Sequence, residues 1–225
     1  MKTTICAAAV CFLVASLHAR ADLVYVEKVE VAGKVKTSTS KIKGDKVRTD
    51  SPQEAGPSGG VSTIMDIPSG DVITLNHDAK TFTKQSEKKM AARKEAAPAE
   101  LPQLTDTGKK EKVAGYNAEI YTAEIPGVKF TVWVTKDFPD GAAVSEQMKK
   151  LLVRESEWNH SPDLSKVEGV VVKSEITLKL GPPSGSTLTR TLISAQIRPV
   201  DDVDFQIPKD YTEVAPKPLP TPQSP

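Results

Sequence analysis

Between Ser40 and Lys84 the chain runs through KIKGDKVRTD, VSTIMD, DVITLN and KTFTK, alternating segments closed off by Gly, Pro, Asn or Asp. A period of two sends successive side chains to opposite faces of an extended strand. Gly44-Asp45 can supply the positive φ of a two-residue hairpin turn, and Pro68-Ser69-Gly70-Asp71 and Asn76-His77-Asp78 hold turn-forming side chains. Only antiparallel neighbours are joined so tightly, so the segment reads as an antiparallel meander.

The remainder extends that pattern. A strand is expected over 23–37, with Tyr25, Val29, Val31 and Val35 on one parity, Lys28, Glu30, Lys34 and Lys36 on the other, and Glu27 breaking the apolar side. SPQEAGPSGG is a polar connector. A second hairpin pairs 113–125 with 128–135 around Pro126-Gly127, where Phe130, Val132 and Val134 alternate and Trp133 takes the opposite face. Two longer strands follow over 167–180 and 186–200. Val170, Val172, Ile176, Leu178 and Leu180 share a face in the first, and a parity switch between Leu192 and Ile193 predicts a bulge in the second.

Two helices interrupt the strands. Ser86 to Ala97, SEKKMAARKEAA, is rich in helix formers between a capping Ser and Pro98, but its apolar face is poor. PAELPQLTDTGKKEK then reads as a polar connector. Ala143 to Glu157 places Val144, Met148, Leu151 and Leu152 on a stripe that ends in Glu155, enough to cap a sheet.

MKTTICAAAVCFLVASLHARA has a basic start, an apolar run from Ile5 to Leu17 and an A-x-A ending, the pattern of a secretory signal peptide cleaved after Ala21. The run is shorter than the ~20 residues a spanning helix needs, and no other apolar stretch of that length follows, so no transmembrane helix is expected in the mature chain. Residues 1–21 are the expected signal, 22–212 one mainly β domain, and 213–225 a Pro-rich disordered tail; the product is expected to be periplasmic or secreted. Both cysteines, Cys6 and Cys11, leave with the signal, which excludes disulfides and thiol catalysis. Lys2 and Arg20 leave as well, so 28 basic and 29 acidic residues remain. That balance excludes the basic excess of a nucleic-acid binder.

The candidate chemistry is sparse. The mature chain keeps His77 and His160. His77-Asp78, with Asp66 and Asp71 nearby, resembles a fragment of a metal site, but turn chemistry accounts for the same residues and a site needs three or four ligands. His160 falls in a loop before Pro162, and the Asp201, Asp202, Asp204 cluster lacks the Gly and distal Glu of a calcium loop. No nucleophile elbow, phosphate loop or dinucleotide fingerprint occurs, and no catalytic residue, metal or cofactor is expected. The expected fold is a mainly β (α+β), curved antiparallel half-barrel sheet capped by helices. The expected lining of its concave face is Tyr25, Val29, Val31, Phe130, Val132, Ile176 and Leu178 from strands and Met148 and Leu151 from the helix. These residues either enclose a cavity for a hydrophobic ligand or fill a core.

KIKGDKVRTD, VSTIMDIPSGDVITLNHDAKTFTK, KVAGYNAEIYT, VWVTKDFP and DFQIPKDY, in that order, resemble the bacterial exported family catalogued as domain of unknown function 4412. That family is similar in fold to lipoprotein carriers of the LolA and LolB type. The resemblance implies a half-barrel with an apolar cavity, a hydrophobic ligand or lipoprotein acyl chain as cargo, and no catalytic residues. The alternative is an envelope structural or protein-interaction module whose tail or outer sheet edge meets an unidentified protein partner.

Overall fold

Turn residues set the strand count. At Ala32-Gly33 both residues have positive φ, 50° and 77°, the type I′ geometry that matches strand twist in a two-residue hairpin. The expected strand over 23–37 is therefore two, β1 (Leu23–Val31) and β2 (Lys34–Lys43). The same Val-Ala-Gly sequence recurs at 113–115, with Ala114 at 49° and Gly115 at 93°. There it joins β7 (Thr105–Val113) to β8 (Tyr116–Ile125), so the expected polar connector contains a strand. β7 lies at the sheet edge and is almost entirely exposed; its lysines protect the open edge, which is why it carries little alternation.

The computed structural model describes residues 22–51, 60–86, 101–159, 161–179 and 186–216. The further strands are β3 (Lys46–Ser51), β4 (Val61–Asp66), β5 (Val72–Asn76), β6 (Thr81–Gln85), β9 (Val128–Thr135), β10 (Val170–Leu178), β11 (Thr187–Ile197) and β12 (Thr212–Glu213). They form one 12-stranded sheet in the order β12-β6-β5-β4-β3-β2-β1-β11-β10-β9-β8-β7. All neighbours are antiparallel except β12, which runs parallel to β6. β12 and β7 are its two edges, so the sheet does not close into a barrel. The chain crosses from β6 to β7 between two meanders and returns from β11 to β12, and β1 joins the meanders by pairing with β11 as well as β2.

One α-helix is present among the described residues, α1 (Gly141–Asn159), so the sheet is capped by one helix rather than several. The expected helix over 86–97 lies, apart from Ser86, outside the described residues, as do the expected signal peptide, His160 and the tail beyond Pro216. Val144, Met148 and Leu151 bury the α1 stripe as expected, each contributing about 1.5–3 kcal/mol.

Three irregularities interrupt the register, one of them between Asp106 and Lys110 in the β7–β8 pair. Val26 pairs with Ser194 and Glu27 with Leu192, so Ile193 is the extra residue at the predicted parity switch. A second slip falls between Val171 and Lys173: Val170 lies across from Thr135, but Ile176 lies across from Phe130, of the other parity in β9. The expected common face of Val170 and Ile176 is therefore broken at Val172.

Two apolar cores lie against the sheet. The larger joins Leu23, Tyr25, Ile42 and Val47 to Val144, Met148 and Leu151 of α1 and extends to Trp133 and Phe138. The smaller sits on the other side of β1 and β4–β6, where Val24, Ile64, Leu75 and Phe82 pack against Val200 and Phe205. Residues 198–213 thus form a strap across the outer face. Lys41 donates to Asp204 at 2.7 Å, Lys43 to the Val200 carbonyl at 2.8 Å, and Arg48 to the Asp204 carbonyl at 2.8 Å. At its start the Val200 N–H donates to buried Asp22 at 2.9 Å.

Candidate functional site

The inner face of the first meander forms a groove under the C-terminal half of α1. Its volume is ≈ 390 Å³, and Tyr25, Val29, Val47, Met65, Val72 and Leu151 supply its apolar surface. The same groove holds Glu27, Lys36, Glu155 and Arg190 and the hydroxyls of Ser38, Ser40, Thr49, Ser51 and Thr63. The register explains the hydroxyls: Tyr25 faces Ser40, Ser40 faces Thr49, Thr49 faces Thr63, Thr63 faces Thr74, and Thr74 faces Thr83. A continuous row therefore crosses from β1 to β6, and Ser40 and Thr49 share a 2.9 Å hydrogen bond within it.

Glu27 is the odd residue of β1, on the same parity as Tyr25 and Val29. Burial pushes its carboxyl above the usual range, and the nearby Glu155 charge adds to this; Arg190 acts in the opposite direction. Burial also pushes the Tyr25 phenol up, with the Glu27 charge second. The Arg190 guanidinium lies 3.6 Å from the Glu155 carboxylate. That pair also borders a smaller cavity of ≈ 80 Å³ lined by Phe130, Val132, Leu164, Ser174 and Ile176. Glu155 and Arg190 thus stand between two compartments on the inner face.

The nine expected lining residues are divided. Tyr25, Val29 and Leu151 line the larger groove, and Phe130, Val132 and Ile176 the smaller cavity. Met148 is buried in the core beside Leu151. Val31 and Leu178 are 45% and 41% exposed and line neither space; each is the last residue of its strand. The groove residues not anticipated are Val47, Met65 and Val72, the charged Lys36 and Arg190, and the hydroxyl row. Glu27 and Glu155 were visible as polar residues within apolar patterns, but nothing in one strand alone shows that they meet.

On the outer face, His77 stands in a hydrogen-bond chain. Its Nε2 is 2.6 Å from Ser62 Oγ and its Nδ1 2.6 Å from the Tyr211 hydroxyl. Ser62 donates to Asp50 at 2.5 Å, and Arg48 donates to Asp50 at 2.7 Å and to Ser62 at 3.1 Å. With the Ser62 hydroxyl hydrogen directed at Asp50, His77 Nε2 carries the hydrogen toward Ser62 and Nδ1 accepts from Tyr211. A nucleophilic triad has the reverse order, with the carboxylate behind the histidine and the serine open to substrate. Here the carboxylate holds the serine, which is 1% exposed, and a tyrosine stands behind the ring. The chain ties β3, β4 and the end of β5 to the strap. The expected turn role of this region holds for Asn76, which accepts from the Ala79 N–H, and for Asp66, which accepts from the Ser69 N–H. Among the described residues no group of three His, Cys, Asp or Glu could hold a metal ion. The Asp201–Asp204 cluster caps a 3-10 turn and pairs with Lys41 and Lys43.

No helix among the described residues is long and apolar enough to cross a membrane. No curated protein matches the chain in sequence. Among solved structures it is similar to PNGF-II, with a TM-score of 0.42 and 18% identity over 87% of this chain and 31% of that one. It is also similar to the MucA/MucB complex of Pseudomonas aeruginosa, with a TM-score of 0.42 and 10% identity over 84% and 56%. A third similarity is to a DUF1329 family protein from Desulfovibrio piger ATCC 29098, with a TM-score of 0.25 and 12% identity over 84% and 91%. The chain spans about a third of PNGF-II and just over half of the chain from the MucA/MucB complex. The model of the family described as domain of unknown function (DUF4412) matches residues 26–211, and the chain belongs to that family.

Proposed function

We propose that this is an exported, non-enzymatic binding protein that holds a ligand with a hydrophobic part in the groove between α1 and the inner face of β1–β5. The observation that carries this reading is the groove itself: ≈ 390 Å³, open on one side, with apolar walls from Val29, Val47, Met65, Val72 and Leu151. Ligand pockets fall at about 300–1,000 Å³ and combine apolar lining with a few polar groups. An acyl chain, free or carried on a lipoprotein, has the apolar part this wall accepts. Export rests on the signal-like N-terminus.

The test uses mature protein purified from the envelope of the producing cells. Native mass spectrometry should show an adduct lost on denaturation, and the neutral fluorophore N-phenyl-1-naphthylamine should bind saturably and be displaced by decanol. Absence of both the adduct and saturable fluorophore binding overturns the reading.

A further inference from the structure

The groove's polar residues distinguish between head groups. Glu27 opens into it from β1, and among the described residues no donor lies within hydrogen-bond range of its carboxylate. The nearest opposite charge belongs to Arg190, which is placed at 3.6 Å from Glu155, so two carboxylates face one guanidinium across the floor. Lys36 also lines the groove, is exposed, and has an interaction of its own. Around Glu27 stand hydroxyls: Ser38 directly across the strand pair, and Ser40 and Thr49 one row along. A hydroxyl oxygen has two lone pairs and accepts from a cation as readily as it donates to an anion, so the carboxylate decides the sign. An ammonium has three donors and no acceptor and so matches a carboxylate ringed by hydroxyl oxygens. An anionic head placed there would face Glu27 and Glu155, and of the groove's two cations Arg190 is already beside Glu155 and Lys36 has a partner of its own.

Accepting that the groove binds an amphipathic ligand, we propose that its head group is a cation, a primary ammonium or equivalent. The head sits on Glu27 among Ser38, Ser40 and Thr49, with the apolar body against Val47, Met65 and Leu151. Burial of Glu27 without a donor disfavours its charged form, and a bound cation removes that penalty. Glu27 is then the specificity-determining residue, and the Glu155–Arg190 pair limits how far the ligand reaches toward the second cavity.

Three probes with one tail separate this from the underlying reading: decylamine, decanol and decanoate, each titrated calorimetrically into the mature protein below its aggregation concentration. Decylamine should bind at least about tenfold tighter than decanol, and decanoate weaker than decanol, since a charge-assisted hydrogen bond is worth about 1.5–3 kcal/mol and 1.4 kcal/mol is tenfold. In Glu27→Gln, with a thermal melt confirming the fold, the preference for decylamine over decanol should be lost. Equal binding of all three probes, tighter binding of decanoate, or an unchanged amine preference in Glu27→Gln overturns the cationic head and leaves the groove. Failure of decanol and the other two to bind overturns the groove reading itself and the proposal with it.

Discussion

Truncation of Phe205 to Ala should remove about 3–5 kcal/mol of folding stability, although the residue lies far along the chain from the strands it covers. Phe205 is 8% exposed, on the strap, packed against a core that contains Val24, Ile64, Leu75 and Phe82. A buried Phe removes about 200 Å² from water, and at about 25 cal/mol per Å² this is about 5 kcal/mol. A compact unfolded chain lowers that by roughly 10–40%, and the unfilled cavity raises it again. The loss is large against a total of about 5–15 kcal/mol. Equilibrium urea unfolding of the mature protein, followed by far-ultraviolet circular dichroism and tryptophan fluorescence, should place the midpoint about 1.5–2 M lower with the slope retained. Amide exchange should show protection lost first across 200–213, because the strap is released before the sheet opens. A loss below about 1 kcal/mol, with protection of the strap unchanged, would refute the assignment of the outer core to this contact.

Other perturbations follow from the same structure. Glu27→Gln should stabilise the protein at pH 8 and be nearly neutral at pH 4. A carboxyl whose folded-state pKa is raised costs stability as pH climbs through its ordinary value toward the folded one, so the gap between wild type and variant must open upward in pH; chemical denaturation at pH 4, 6 and 8 measures it, and a gap that closes with pH would contradict the sign. Gly169→Ala should cost about 3 kcal/mol or more, because φ is 127° and a Cβ would sit 2.6 Å from the Thr135 carbonyl oxygen. Gly33→Ala, with φ 77° and open space around it, should cost about 1–2 kcal/mol, so paired thermal melts must rank the two in that order. Ser62→Ala should cost about 1–3 kcal/mol by leaving Asp50 and His77 without their shared hydroxyl, read by urea unfolding.

The meander and α1 were legible because periodicity is local: the parity of Phe130, Val132 and Val134 and the stripe of Val144, Met148 and Leu151 need no partner to be seen. The bulge at Ile193 was legible for the same reason, since an extra residue inverts the apolar parity on either side of it. β7 was not, because an exposed edge strand has no buried face to impose alternation. The turn at Ala32-Gly33 was missed because both strands alternate through it in apparent phase, leaving Gly33 as its only signal. The site was harder still. Glu27, Glu155 and Arg190 lie on β1, α1 and β11, and only the pairing of β1 with β11, across more than 160 residues of sequence, brings them together.

The polarity of the two faces carries the argument for a site one step further. A half-barrel expected to be apolar inside and wet outside is partly reversed over β4–β6: Ile64, Leu75 and Phe82 point outward into the core under the strap, while Thr63, Thr74 and Thr83 point inward beside Met65 and Val72. Strands with one packed face need their large apolar side chains on that face only, so the strap satisfies β4–β6 without the interior. α1 packs over β10 and β11, and only Leu151 and Glu155 reach the groove from it. Were the inner face of β2–β6 a core awaiting a lid, Val and Ile would stand where Ser40, Thr49, Thr63, Thr74 and Thr83 stand. Ser40 is buried and bonded to Thr49 within the row, while Thr49, Thr63, Thr74 and Thr83 are half-buried and keep a polar edge toward the groove side. The strap therefore supplies a second core for β4–β6 on the outer face, and the inner face, packed under α1 at Ile42 and Val47, can carry a carboxylate such as Glu27 and its row of hydroxyls beside that core.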